Sequence, residues 1–185
     1  IHFSKVIDEA DIIVMQAEIP YETIKRIALL AKQKGKKVLF NPAPACLIDE
    51  ELMKAIDILV VNELEAAFIS GIEYTGNNLE EIALSLLQAG ARNAVITLGS
   101  QGVYMKNDKE IIQLPGYKVN AIDTIAAGDT FCGALAVICA QREIDRDALS
   151  FANAAAAIAV TRSGAQPSIP TLTEVNAFIH PQINF

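Results

Sequence analysis

Short apolar runs recur along the chain, spaced by segments of helical periodicity, and this alternation limits the fold more than any other feature. Asp11 to Gln16 (DIIVMQ), Lys37 to Asn41, Ile58 to Val61 and Ala94 to Leu98 are short and almost continuously apolar. Runs of that kind suit strands of a sheet covered on both faces, and DIIVMQ reads as a fully buried strand. Between them, Tyr21 to Lys34, Leu47 to Ala55, Asn62 to Ser70 and Asn78 to Ala89 read as helices. Gly35, Gly71 and Gly90 punctuate three of them. The opening stretch, IHFSKVIDEAD, reads as the end of a helix leading into the first strand. Val103 to Lys106 and Glu110 to Leu114 read as a hairpin around Asn107 and Asp108. Helices are expected again over Phe131 to Ala140, Asp147 to Thr161 and Leu172 to Ile179. Strands that alternate with helices specify an α/β fold, here three-layer α/β/α with a mainly parallel sheet. No repeat or linker interrupts the pattern, so the 185 residues are read as one domain.

Composition excludes several function classes. The net charge of -7, without any basic run, argues against a nucleic-acid partner. No apolar stretch reaches membrane-spanning length, and no secretory signal is visible, so a cytoplasmic protein is expected. Cys46, Cys132 and Cys139 lack metal-ligand spacing. Cys132 and Cys139 fall on one helical face and read as buried small residues, as expected in a reducing compartment. His2 and His180 lie near the termini and suggest nothing catalytic.

In a sheet of this class, ligands bind at the carboxyl ends of the strands. Chemistry is therefore sought just after the apolar runs and at turns that open helices. The stretch Asp123 to Phe131, DTIAAGDTF, is the clearest candidate. It narrows to Ala126, Ala127 and Gly128, then presents Asp129 at the start of a helix. The first helical N–H groups have no intrahelical partners, so small residues there let an anion approach. A carboxylate beside an anion site repels it, and makes sense as a base that deprotonates an attacking hydroxyl. The competing reading of Asp129 is an ordinary first-turn acid favoured by the helix dipole.

Other candidates carry similar alternatives. Asn62 and Glu65 have the spacing of a helix capping box. Thr97 to Gly102 (TLGSQG) is a strand followed by a glycine turn; no Walker motif occurs anywhere in the chain. Asn153 reads equally well as a solvent-facing helical residue. Arg162 to Pro167 reads as a helix C-cap followed by proline, whose unsatisfied carbonyls also suit a large monovalent cation. Glu18, after the first strand, is by itself a solvated loop charge.

DTIAAGDTF resembles the signature of the ribokinase (PfkB-type) family of sugar kinases, Asp-Thr-x-(Gly/Ala)-Ala-Gly-Asp-x-Phe. The resemblance covers essentially all 185 residues in the family's order. It implies ATP-dependent phosphorylation of a sugar, with D-ribose and its primary hydroxyl the first expectation. Other sugars, sugar acids or nucleosides are alternatives within the family, and a noncatalytic nucleotide-binding fragment is the alternative outside it. On this resemblance Asp129 is the base, and Ala126, Ala127, Gly128 and the Asp129 backbone form the anion hole. Asn62, Thr97, Gly99, Ser100, Gly102, Gly128 and Asn153 would serve the nucleotide. Glu65 would act indirectly on Mg²⁺, and Glu18, in Met15-Gln16-Ala17-Glu18, would contact the sugar together with Asp129. Asp123 and Ser168, with the carbonyls of Ile125, Ala159, Arg162 and Gly164, would hold K⁺. The NPAPA stretch, Asn41 to Ala45, also matches, as a structural loop. The family's N-terminal part is not matched in this sequence. It carries a Gly-Gly sugar motif and a small β lid, through which a homodimer is implied for a full-length chain.

Overall fold

A computed structural model describes residues 3–180, and His2 lies outside that range. The chain forms two compact units, each built on its own core. The first runs through Leu98 and takes in Tyr104–Gln113; the second comprises Gly99–Val103 and the chain from Leu114 onward.

The first unit carries a six-stranded sheet in sequence order: β1 (Ile12–Gln16), β2 (Lys37–Asn41), β3 (Ile58–Asn62), β4 (Asn93–Thr97), β5 (Val103–Asn107) and β6 (Ile111–Leu114). The first four strands are parallel, with Gln16 beside Asn41 and Asn62 beside Thr97 at their carboxyl ends. α1 (Phe3–Glu9) leads into β1, and the helices α2 (Tyr21–Gln33), α3 (Glu50–Ala55), α4 (Glu63–Ser70) and α5 (Leu79–Gln88) make the crossovers that parallel strands require. The connections into β5 and β6 are too short for a crossover and permit only antiparallel pairing. Asn107 N donates to Glu110 O at 3.1 Å and closes the expected hairpin.

β2, β3 and β4 are buried along almost their whole length. Val38, Phe40, Leu59, Val61, Ala94 and Ile96 enter one core with Ile24, Leu52, Met53, Ile82 and Leu86 from the helices. Leu39, Val60 and Val95, on the opposite face, are equally buried. The sheet is thus covered on both sides, as the continuous apolar runs require. At the amino end of β3, the buried Asp57 carboxylate accepts from Val38 N and from Lys32 Nζ, both at 3.0 Å.

β1 departs from expectation. It is the edge of the described sheet, and Val14 is 45% exposed while only Met15 is buried. An apolar run reports that a strand can be buried on two faces, not whether a neighbour or helix is there to bury it. α3 also begins later than expected, at Glu50 and not Leu47. The Asp49 carboxylate accepts from Leu52 N at 2.9 Å and fixes the N-cap there.

The second unit is helical: α6 (Ala127–Cys139), α7 (Arg146–Ala159) and α8 (Leu172–Ile179). α6 starts four residues earlier than the apolar run suggested, so Gly128 and Asp129 lie inside its first turn. α6 packs on α7, and Ala154, Ala155 and Ile158 of α7 share a core with Val175 of α8 and with Tyr117 and Phe178. Cys132 and Cys139 are buried on α6, as expected. No helix among the described residues is long and apolar enough to cross a membrane.

Candidate active site

Most of the residues singled out in the sequence belong to the second unit, which carries the signature turn. Ala126 is the N-cap of α6 at φ 60°, ψ 11°, the single non-glycine residue at positive φ among those described. A left-handed alanine costs roughly 1–2 kcal/mol. Strain of that kind persists where the surroundings enforce it, often at functional sites. The next amide, Ala127 N, donates to Thr124 O at 3.3 Å, which closes the turn before the helix. A Cβ added at Gly128 would meet no atom within 4 Å, so the space over the first turn is open. Helical phase then sends Asp129 to the surface and turns Thr130, 5% exposed, inward.

The turn is braced from behind. Asp123 Oδ1 accepts from Ile125 N and Oδ2 from Gly164 N, each at 3.0 Å. These two backbone donors hold the Asp123 carboxyl below the usual carboxylate range. Val160 O, at the end of α7, accepts from Ile122 N at 2.7 Å and from Asp123 N at 3.2 Å. The start of the signature and the loop after α7 are therefore tied together by hydrogen bonds through Asp123 and Val160. Ser168 is fully buried and donates to Ala165 O at 2.6 Å. Ala159 O accepts from Arg162 N at 3.0 Å.

Arg162 also donates to Glu174 at 2.5 Å. Glu174 caps α8 by accepting from Thr171 N and Oγ1, at 2.7 and 2.9 Å. The Thr171 amide and the Arg162 guanidinium lower its pKa from 4.5 to about 2. A carboxylate depressed in the folded state adds stability that is complete above its ordinary pKa and lost as pH falls through the folded one. Glu174→Gln should therefore melt below the unaltered protein near neutral pH, and the gap should close between about pH 4.5 and 2. Melting temperatures followed by circular dichroism across that range check this; a gap that persists at the acid end would refute it.

In the first unit, Glu18, Asn62 and Thr97 all lie at the carboxyl ends of parallel strands, where the fold expects ligands. Asn62 Oδ1 accepts from Leu64 N and Glu65 N, at 2.9 and 2.8 Å, and Glu65 Oε2 accepts from Asn62 N at 2.8 Å. The capping-box reading is thus realised in full. Burial, opposed by that hydrogen bond and helped by nearby Glu63, raises the Glu65 pKa above its ordinary value. Glu18 is exposed just beyond β1. Gln16 donates to Asn41 Oδ1 at 3.3 Å, and Asn41 donates to Val60 O at 2.9 Å. Asn41, the first residue of NPAPA, thus ties the end of β2 to β1 and β3.

Thr97 donates to Val61 O at 3.3 Å and ends β4. Gly99–Gln101 is a single 3₁₀ turn in the second unit, with Gly99 at φ +54° and no atom within 4 Å of where a Cβ would be. Gly102 is different. A Cβ there would lie 2.1 Å from Leu114 O, so its glycine serves the fold of the turn itself. Asn153 is not solvent-facing: it is 8% exposed and donates to Pro115 O at 3.0 Å. The partner segment, Pro115-Gly116-Tyr117, escaped the sequence reading, although Pro-Gly is a strong turn signal.

The K⁺ donor set that the family resemblance implies is all oxygen, which suits a hard cation. No cluster of three or more His, Cys, Asp or Glu occurs among the described residues; Mg²⁺ keeps several waters and takes few protein carboxylates, so the single Glu65 that the resemblance implies would suffice for a hydrated ion.

Residues 2–172 match the model of the pfkB family carbohydrate kinases. The chain belongs to that family. It is 41% identical over 178 residues to a ribokinase of Staphylococcus aureus and 39% identical over 174 residues to one of Haemophilus influenzae, covering 95% and 94% of this chain. Among solved structures it is similar to a Thermotoga maritima ribokinase (42% identity, TM-score 0.85, 95% of this chain). An Arabidopsis thaliana ribokinase complexed with ribose and ATP matches at 29% identity, with a TM-score of 0.90 over 96% of this chain. The chain spans 57–59% of these relatives' lengths.

Proposed function

We propose that the protein to which this chain belongs transfers the γ-phosphoryl group of ATP to the primary hydroxyl of D-ribose, giving ribose 5-phosphate. The observation that carries this reading is the signature turn: strained Ala126, open space over Gly128 and an exposed Asp129 in one helical turn. The Asp129 carboxylate takes the proton from the sugar hydroxyl as its oxygen attacks phosphorus and ADP departs. The amides from Ala126 to Asp129 stabilise the charge that develops on the transferred group. ATP lies along Thr97, Gly99, Ser100 and Gly102, with Asn62 toward the phosphates, and Glu18 orients the sugar.

When bound, Mg²⁺ offsets phosphate charge, with Glu65 as its indirect anchor. Asp123, Ser168 and the Ile125, Ala159, Arg162 and Gly164 carbonyls would hold K⁺, whose charge would help fix the shape of the turn. The protein acts in the cytoplasm, as a homodimer at full length, and takes no nucleic acid.

Ribose is favoured by the ribokinases among the relatives. A second reading, a 2-deoxy sugar, is favoured by a Salmonella typhi deoxyribokinase that is 33% identical over 174 residues. ADP release by the protein in its native length, measured against ribose, 2-deoxyribose and fructose, decides between them. Ribose should give the highest kcat/KM; no turnover with any of the three would refute the assignment.

A further inference from the structure

We infer that Gly116 and Asn153 are positioning residues for the nucleotide turn, because two interlocked glycines tie Gly99–Gly102 to a strap that α7 holds in place. The inference rests on the reading that the nucleotide lies along that turn.

The interlock is reciprocal. A Cβ on Gly102 would lie 2.1 Å from Leu114 O and 2.5 Å from Gly116 N. A Cβ on Gly116 would lie 2.2 Å from Ser100 O and 3.1 Å from Gly102 N. Two backbones meet here with no side chain between them, and the atoms in the way are main-chain atoms that cannot rotate aside. Any side chain at either position must push the turn and the strap apart. Gly102 also stands at φ +103°, which an L side chain rarely adopts. Gly116 is not among the residues at positive φ, so backbone approach alone excludes a side chain there.

The strap is fixed in turn. Asn153 donates to Pro115 O at 3.0 Å from a nearly buried position on α7. Two residues on, the Tyr117 hydroxyl is 3.1 Å from Ser150 Oγ, one helical turn earlier on α7. The Tyr117 ring lies 5.0 Å from that of Phe178 on α8. Order therefore passes from α7 through residues 115–117 to the turn. The far end of the same helix holds Ile122 and Asp123 through Val160 O. One helix thus sets the shape of the nucleotide turn and of the approach to the anion turn.

This arrangement gives Asn153 a role that is blind to the base. One of its amide N–H groups is held by Pro115 O, and it acts on bound nucleotide through the position of the Gly99–Gly102 backbone. A side chain that instead contacted the base would distinguish adenine from hypoxanthine, which lacks the exocyclic amine.

Calorimetric titration of the 185-residue chain with ADP and with inosine 5′-diphosphate, each with Mg²⁺, separates these cases. Gly116→Ala should weaken ADP on the order of tenfold, since small misplacements of a binding element are costly. Asn153→Asp keeps the size but loses the N–H donor and faces a carboxylate toward Pro115 O. It should weaken both nucleotides by the same factor. A changed ratio of the two affinities in Asn153→Asp would overturn the indirect role. ADP affinity within twofold of the unaltered chain in folded Gly116→Ala, even with a lower melting temperature, would overturn the interlock as a positioning device. Failure of the unaltered chain to bind ADP would instead overturn the nucleotide assignment, and this inference with it.

Discussion

Asp129→Asn is expected to lower turnover by about 10²–10⁴-fold, the usual contribution of a positioned general base. The substitution keeps the volume and the helix start. α6 gains its N-terminal register from Ala126, whose carbonyl accepts from Thr130 N at 2.9 Å, and this bond does not involve the Asp129 side chain. The folded structure should therefore survive. What changes is the capacity to accept a proton from the attacking hydroxyl. Removing a negative charge beside an anion site should leave ATP affinity equal or improved. The expected pattern is a collapse of kcat with KM for ATP unchanged or lower, measured on the protein in its native length. Turnover within about twofold of the unaltered protein is too little for a lost base. That result would return Asp129 to the role of a first-turn acid.

The turn was legible in the sequence because its requirements are local. Small residues before an acid at a helix start leave little choice of geometry. The strain at Ala126 was not legible, since alanine gives no sign of positive φ where glycine would. The strands β2, β3 and β4 and the cap at Asn62 were equally local, written in continuous apolar runs and in capping-box spacing. β1 was misjudged because burial depends on neighbours that the run itself does not specify.

The glycines show the same boundary more sharply. TLGSQG announces a turn, but the sequence offers no means of telling a glycine that admits a ligand from one that admits its own chain. Gly99 has free space around it, whereas Gly102 is pressed against Leu114 and Gly116. Asn62 and Glu65 show that two readings need not exclude each other. The capping box uses Glu65 Oε2 and thereby fixes the direction of the carboxylate that is proposed to serve Mg²⁺. Asn153 shows the reverse, a residue legible only through resemblance whose contact to Pro115 was in no motif.

Asp123 carries the second large effect. Both carboxylate oxygens are engaged by main-chain amides, one two residues ahead at Ile125 and one at Gly164. The group therefore holds two loops together as well as being a proposed ligand of K⁺. Asp123→Asn replaces one acceptor by an N–H that must face a backbone N–H, so one of the two bonds is lost and two donors oppose each other. The local cost is a displaced Ile125 or Gly164 carbonyl, both in the proposed ion's coordination set. Disturbing residues that orient metal ligands typically costs about 10–100-fold in metal affinity. The K⁺ concentration that gives half-maximal rate should rise by about that factor. At saturating K⁺ the rate should recover in part, because Asp129 and the amides of the anion turn remain. Steady-state rates measured across a K⁺ series at constant ionic strength, balanced with choline, read both quantities. The unaltered protein should lose most of its activity in choline alone. Equal rates in K⁺ and choline would remove the ion from this site while leaving the kinase assignment intact. A K⁺ response unchanged in Asp123→Asn would leave the ion but place it elsewhere, because no rearrangement of a ligand set this tightly tied to one carboxylate could be silent.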